Sequence, residues 1–331
     1  MKAIVIRSAG GPEVLELRDV VDPAIRFGHV RVAVDHAGVN RADMLQRLGV
    51  YPAPDGVPAD IPGLEYAGTI AEVGEGVRAW KIGDRVFGVV AGGAYAEQIV
   101  LHAREVTRVP DSVDLASAAA IPEAFLTAWD ALTVRGRVQP GDRVLIHAVG
   151  SGVGTAAIQL CKAIGCATIG TSRTEGKLAR CKALGLDVAL HTKEPVFADA
   201  VRAATGGAGV DVVIDLVGGS YFAETLRACA SKARVVCVGL TAGRAAEIDL
   251  GMVLGKRLEI IGTVMRARPL EEKIAAAALL ARPIATWLGE GKLKAIVDRI
   301  FPLADAADAH RLVASDSTFG KVLLSMRASA T

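Results

Sequence analysis

The stretch "GDRVLIHAVGSGVGTAAIQLCKAIG", Gly141–Gly165, decides the fold. "DRVLIHAV" is a short apolar run that reads as a buried β-strand, and "GVGTAAIQLCKAIG" carries Val153, Ala157, Leu160 and Ile164 on one helical stripe. Between them lies the turn Ala148-Val149-Gly150-Ser151-Gly152-Val153-Gly154. Such a turn lets backbone approach a pyrophosphate closely, while the helix behind it offers unpaired N–H groups and the positive end of its dipole. The strict G-x-G-x-x-G spacing fails: counted from Gly150, the third glycine would be residue 155, which is Thr155. Glycines also serve plain tight turns. The strand before and the helix after this one favour a dinucleotide site.

Working outward from that turn, the chain has two rhythms. From about Glu123, "CATIGTS", "DVALH", "VDVVIDLVG", "ARVVCVGL" and "RLEIIGTV" read as strands with helical patterns such as "TEGKLARCKALG" between several of them. Strands alternating with helices of roughly 10–15 residues argue for a doubly wound parallel sheet. Up to about Pro122 the pattern is different. "MKAIVIR", "HVRVAVDHAGV", "YAGTIAEVGEGV" and "DRVFGVV" are short strands separated by Gly, Pro and Asp clusters, as in a β-rich domain. After the helix-like "PLEEKIAAAALLARPIATWLGEG", the tail from Leu293 returns to the first style. The expected division is therefore 1–122 with 291–331, and 123–290 as the cofactor domain.

Bulk properties agree with a globular protein and narrow the partners. The 331 residues are 51% apolar and 22% charged, with a formal net charge of +2. Length alone favours two domains. Cations are scattered among acids with no basic stripe, which disfavours nucleic acid. The five cysteines all follow residue 160, are odd in number and form no Cys-x-x-Cys, so buried reduced thiols are expected rather than disulfides or a zinc knuckle. The first residues alternate like a strand and lack a signal-peptide core, and no apolar run of about 18 residues occurs. A soluble cytoplasmic protein is expected.

The end of the strand after the glycine turn selects the dinucleotide. NAD sites place Asp or Glu there for the ribose 2′-hydroxyl. Here Thr171, Ser172, Arg173 and Thr174 are followed by Lys177, hydroxyls and cations suited to a 2′-phosphate, with Glu175 as the dissenting charge. Lys177 alone would read as a solvated helix lysine; the combination favours NADPH.

Six stretches in order, "VNRADMLQRLGVYPAPDG", "IPGLEYAGTIAEVGEGV", "WKIGDRVFGV", "AAAIPEAFLTAWDAL", "GDRVLIHAVGSGVGTAAIQL" and "GVDVVIDLVGG", resemble the medium-chain dehydrogenase/reductase superfamily, in its zinc-free quinone oxidoreductase branch. The resemblance spans essentially the whole chain. It implies an α/β fold: a Rossmann-type doubly wound parallel sheet plus a β-rich GroES-like catalytic domain. Zinc-dependent members carry a cysteine where this chain has Asn40 and a histidine where it has Leu64. Without them a tetrahedral zinc lacks ligands, so no metal is expected, and Asp43 and Glu65 are read as structural hydrogen-bonders.

Without a Lewis acid the acceptor must be activated already, as a quinone or conjugated enone is. Catalysis then rests on placing the nicotinamide and on modest hydrogen bonding to the developing oxyanion. The resemblance implies that Asn40 and Tyr51 face the acceptor as donors. Ser151 stands where relatives usually have glycine and adds a hydroxyl near phosphate or substrate. Carried over as cofactor contacts are Thr127, Gly152, Val153, Gly154, Ser172, Lys177 and His191 (commonly a tyrosine in relatives), with Gly239, Leu240, Thr263, Val264 and Lys321. The remaining histidines are assigned ordinary structural roles. The family also implies a homodimer through the cofactor domain's sheet edge. Two further readings stay open: an enone or enoyl-thioester reductase, and a nucleotide-bound regulatory or RNA-binding protein, which the scattered cations disfavour.

Overall fold

The structure, a computed structural model, describes residues 1–327. By internal packing the chain divides into residues 1–126 together with the chain from Met265 onward, and residues 127–264.

The first unit opens with an antiparallel pair, β1 (Lys2–Ile6) and β2 (Leu15–Asp19). The long strand β3 (His29–Val39) alternates half-exposed and buried residues until its last four, which are all buried. At Asn40 the chain turns directly into helix α1 (Arg41–Arg47). Strands β4 (Glu65–Val73), β5 (Arg85–Val89), β6 (Gln98–His102) and β7 (Thr107–Arg108) follow, with β3 pairing antiparallel to both β4 and β6. Two short helices, α2 (Leu115–Ala119) and α3 (Pro122–Trp129), end this part of the chain.

The second unit is the expected alternation. Strand β8 (Arg143–Ile146) leads through the glycine turn into α4 (Gly152–Ile164), then β9 (Ala167–Ser172), α5 (Glu175–Ala183), β10 (Val188–His191), α6 (Ala198–Ala204) and β11 (Val210–Asp215). Helix α7 (Phe222–Ala228), β12 (Cys229–Cys237), α8 (Leu250–Lys256) and β13 (Glu259–Gly262) complete it. The sheet order is β10-β9-β8-β11-β12-β13 and every pairing is parallel. The order reverses between β8 and β11, the place where such sheets open a crevice for dinucleotides. Residues Gly154–Cys161 of α4 are all buried, so the helix is covered nearly all round rather than along one stripe.

The chain then returns to the first unit. Helices α9 (Leu270–Leu279) and α10 (Ala285–Gly289) are separated where Arg282 leaves helical angles before Pro283, which disfavours helix in the residue preceding it. Strand β14 (Val297–Pro302), helix α11 (Ala306–Ala314) and strand β15 (Lys321–Ser325) follow. β15 lies antiparallel to β3, with Val322 opposite Val39, and so enters the middle of a sheet ordered β14-β15-β3-β4-β5-β7. Residues 265–290, read from sequence with the cofactor domain, pack here: Thr107 donates to the Ala277 carbonyl at 3.2 Å and Arg104 forks onto Glu271 at 3.0 Å. Helical periodicity identifies a helix but not the sheet it covers.

Each unit has its own apolar core. Val30, Val32, Tyr66, Ile70, Val86 and Leu324 belong to the first, and Leu145, Ile169, Val213, Leu226 and Val235 to the second. Full burial of one such aliphatic side chain contributes about 1.5–3 kcal/mol.

Candidate active site

In the second unit the carboxyl ends of the parallel strands collect most of the cofactor candidates. Ser172 and His191 are the last residues of β9 and β10, Gly239 and Leu240 follow β12, and Thr263 and Val264 follow β13. The turn after β8 is tight. Ala148 takes a left-handed φ of 46°, and a Cβ on Gly154 would stand 2.4 Å from the Val149 carbonyl oxygen. Only glycine fits there, and the fit draws the start of α4 against the strand end. Ser151 is the N-cap: its hydroxyl accepts from the Gly154 N–H at 3.1 Å, which leaves Gly152 and Val153 as the first residues of the helix. Thr127 is buried at the start of this unit, and the Thr263 hydroxyl donates to Asp130 at 2.5 Å.

At the β9 end, Ser172 closes its own turn, accepting from the Thr174 N–H at 3.1 Å. His191 faces Glu175 across 3.0 Å through Nδ1, while Nε2 meets the Arg173 carbonyl at 3.0 Å. The dissenting carboxylate thus has a partner in His191. Lys177 lies in the first turns of α5, and a Cβ on Gly150 would come within 3.0 Å of its stem, so the lysine reaches back to the glycine turn.

His147, directly after β8, is fully buried, with Thr171 and Thr225 hydroxyls each 2.9 Å from its ring nitrogens. Burial brings its pKa down to about 4, so it is neutral and ties β8 to β9 and α7.

In the first unit, a buried polar cluster surrounds the turn from β3 into α1. Glu65, fully buried at the start of β4, accepts from Lys321 Nζ at 2.6 Å, from Asn40 Nδ2 at 3.0 Å and from the Glu123 N–H at 2.8 Å. Lys321 also donates to Asn40 Oδ1 and to the Val39 carbonyl at 3.3 Å. An ammonium on one side and a carboxylate on the other fix the orientation of the Asn40 amide. The second proton of that amide goes to the Gly38 carbonyl at 3.3 Å. Lys321, read from sequence as a cofactor contact, is thus placed on Glu65 and Asn40.

A second chain of bonds runs behind it. Asp43 accepts from the N–H groups of Asn40 (2.8 Å) and Gly63 (3.1 Å) and from the Tyr95 hydroxyl (3.1 Å). Tyr95 in turn meets His310 Nε2 at 3.2 Å, and His310 Nδ1 faces Arg47 at 3.2 Å. Arg47 can only donate, so Nδ1 accepts and Nε2 carries the proton; the chain is directional from cation to carboxylate. Burial pushes the Asp43 carboxyl up to about 6, against the pull of its two backbone donors.

Tyr51 sits half-buried beyond α1. Burial raises its phenol above the ordinary value, with Arg266 pulling the other way, so it remains a protonated donor at neutral pH. Leu64, Val89, Val90, Ala91, Glu123, Met265, Arg266 and Lys273 line a narrow recess in the same unit. Arg266 was not singled out by sequence: in "VMRARPL" it has the surroundings of any loop arginine, and no local pattern announces its burial.

A parallel sheet in this order, with a glycine turn at its reversal point, is the architecture of dinucleotide-dependent oxidoreductases. Comparison with known proteins narrows this. Residues 26–111 match the model of the alcohol dehydrogenase GroES-like domain and residues 152–282 that of the zinc-binding dehydrogenase. A quinone oxidoreductase of Rattus norvegicus is 33% identical over 328 residues, 98% of this chain and 97% of the relative. The Escherichia coli quinone oxidoreductase solved with NADPH superposes with a TM-score of 0.89 at 28% identity, covering 98% of this chain and all of the other. The CurK enoyl reductase gives 0.86 at 27% identity, over 98% and 99% of the two chains. The chain belongs to the medium-chain dehydrogenase/reductase superfamily, on its quinone oxidoreductase branch.

The zinc in one family description does not fit these residues. Asn40 and Leu64 offer neither thiolate nor imidazole, and the Glu65 carboxylate is already covered by an ammonium, an amide and an N–H. Among the described residues, no three His, Cys, Asp or Glu side chains are grouped to hold a metal ion. NADPH does fit. The tight glycine turn, the N-terminus of a 13-residue helix and the hydroxyl-and-cation set after β9 match a pyrophosphate and a 2′-phosphate.

Proposed function

We infer that the protein is an NADPH-dependent quinone oxidoreductase that works without metal. The observation that carries this is the cluster of Asn40, Glu65 and Lys321 standing where metal ligands would be needed, in the same unit as Tyr51 and the largely apolar recess at Leu64. The length-wide likeness to quinone oxidoreductases supports it.

When bound, NADPH supplies the hydride. The second unit binds it: Gly152, Val153 and Gly154 offer backbone to the pyrophosphate, and Ser151 can add its hydroxyl proton. Ser172, Lys177 and His191 face the 2′-phosphate side. Gly239, Leu240, Thr263 and Val264, with Thr127, shape the nicotinamide end. The first unit takes the acceptor. The Tyr51 hydroxyl donates to the acceptor oxygen as negative charge develops on it. Asn40 can join by sharing the N–H that now points at the Gly38 carbonyl, its longer bond, between that carbonyl and the acceptor oxygen, while Lys321 and Glu65 hold the amide still. Lys321 therefore acts on the floor of the acceptor site in this reading.

A double-bond reductase uses the same hydride chemistry, and the likeness to an enoyl reductase supports it as a second reading. A panel of ortho- and para-quinones, an alkenal and an enoyl-CoA, followed by NADPH oxidation, separates the two. No turnover with any quinone overturns the first.

We also place the protein in the cytoplasm as a homodimer. Its five cysteines are free, which supports a reducing compartment. Among the described residues no helix is long and apolar enough to cross a membrane. β13 is an edge strand, and Leu250 and Leu254 on the nearby α8 are 71% and 80% exposed, which supports a second copy at this edge. A monomer in sedimentation at micromolar concentration counts against it.

A further inference from the structure

The group in the first unit with the most directed contacts to the Tyr51 segment is Arg266. It is 6% exposed, and each of its three nitrogens is aimed at a different piece of chain. Nε donates to the Ala91 carbonyl at 2.7 Å, just beyond β5. One terminal nitrogen donates to the Tyr51 carbonyl at 3.0 Å, the other to Gln46 Oε1 at 2.6 Å on α1. The guanidinium carbon also lies 5.2 Å from the centroid of the Tyr51 ring, within cation–π range. Gln46 spends its own N–H on the Ala59 carbonyl at 2.9 Å. The loop from Tyr51 to Ala59 is therefore tied at both ends to one guanidinium, at Tyr51 directly and at Ala59 through Gln46.

We propose that Arg266 is the positioning residue for the acceptor side of the site: it sets the ring and backbone of Tyr51 and closes the 51–59 loop against the recess that it helps to line. The inference rests on Tyr51 facing the acceptor, as read above. A guanidinium suits this task because its planar fork fixes three directions at once, which a lysine ammonium on a flexible stem does not. Its burial lowers its pKa, yet the ordinary value is so high that it stays charged. Two terminal N–H bonds of the fork remain beyond the three donated, on a group that lines the recess.

The test uses Arg266→Lys, which keeps the charge and loses the fork. Misplacing an acceptor-facing group by about 1 Å is enough to cost tenfold or more, so kcat/KM for the quinone should fall at least about tenfold, mainly through kcat. NADPH affinity, measured by direct titration, should stay within about twofold. Introduced into Tyr51→Ala, the same change should cost less than about twofold, because the residue it acts through is gone. A full-sized effect in the Tyr51→Ala background, or an equal loss of NADPH affinity, overturns the proposal. Amide hydrogen exchange provides a readout independent of turnover: exchange over residues 50–57 should accelerate in Arg266→Lys while β3 and β4 keep their protection. Unchanged exchange there also overturns it. Should Arg266→Lys fail to fold, Gln46→Ala removes one of the three acceptors and should lower kcat/KM and accelerate exchange over residues 50–57, and no change in either sinks the idea. A wild-type protein that turns over no quinone but shows the localised exchange would defeat the activity and leave the clamp standing.

Discussion

Replacing His310 by Gln probes the buried chain from Arg47 to Asp43. Burial, and after it the Arg47 charge, pull the His310 pKa from 6.5 down to about 3. Between those values an unfolded chain has bound a proton that the folded protein refuses, so stability is lost as pH falls through this window. Each unit of difference is worth about 1.36 kcal/mol, so by pH 5 His310 has removed about 2 kcal/mol. Asp43 works in the opposite direction. Its folded pKa is raised from 3.8 to about 6, so its penalty is greatest above 6 and is relieved as pH drops, returning about 1 kcal/mol by pH 5. A glutamine can accept from Arg47 and donate to Tyr95 but does not titrate. Urea unfolding at pH 7.5 and pH 5, followed by tryptophan fluorescence, should therefore show His310→Gln gaining about 2 kcal/mol on the wild type across that interval, whatever the two differ by at pH 7.5. Identical pH dependence in both proteins would refute a neutral, buried His310 and with it the direction assigned to the chain.

Lys321→Met leaves the fully buried Glu65 without its cation and should destabilise the protein by about 3–5 kcal/mol in urea unfolding. Adding Glu65→Leu should restore most of that, since removing both charges avoids an unpaired one; no recovery would mean that the pair does not account for the loss. Lys177→Ala combined with Ser172→Ala should weaken NADPH binding at least about tenfold, as expected for lost charge-assisted contacts, and leave NADH within about twofold. Equal losses for both dinucleotides would move the 2′-phosphate site elsewhere.

Which parts of the molecule could be read in advance follows from the range of the interactions. The β8–turn–α4 unit is legible because its signals are local: an apolar strand, glycines and an amphipathic helix within 25 residues, Gly141–Gly165. The ends of β9, β10, β12 and β13 are legible for the same reason once the sheet is known to be parallel. Asp43 and Glu65 were read as hydrogen-bonders, but their partners could not be named. Tyr95 and His310, 215 residues apart, meet each other, and Lys321 reaches Glu65 from the start of β15, through tertiary packing that no periodicity encodes. Arg266 was missed outright, and the packing of residues 265–290 on the first unit was not legible either, because a helix stripe and a loop arginine carry no address. Asn40 illustrates the middle ground: its place at the head of α1 was legible, whereas the commitment of both amide protons to Glu65 and Gly38 was not.

The insertion of β15 beside β3 bears on the order in which a nascent chain can mature. The cofactor unit is one unbroken stretch, residues 127–264, and all six of its strands are available once that stretch has left the ribosome. The first unit begins earlier but cannot close earlier, because an interior strand of its sheet, β15, follows the whole cofactor unit in the chain. Until Lys321 emerges, Glu65 has no cation to accompany it into the interior, and β3 has an open edge beside Val39. During synthesis the half that is translated first is therefore finished last, and it spends that interval as the segment a chaperone would have most reason to hold.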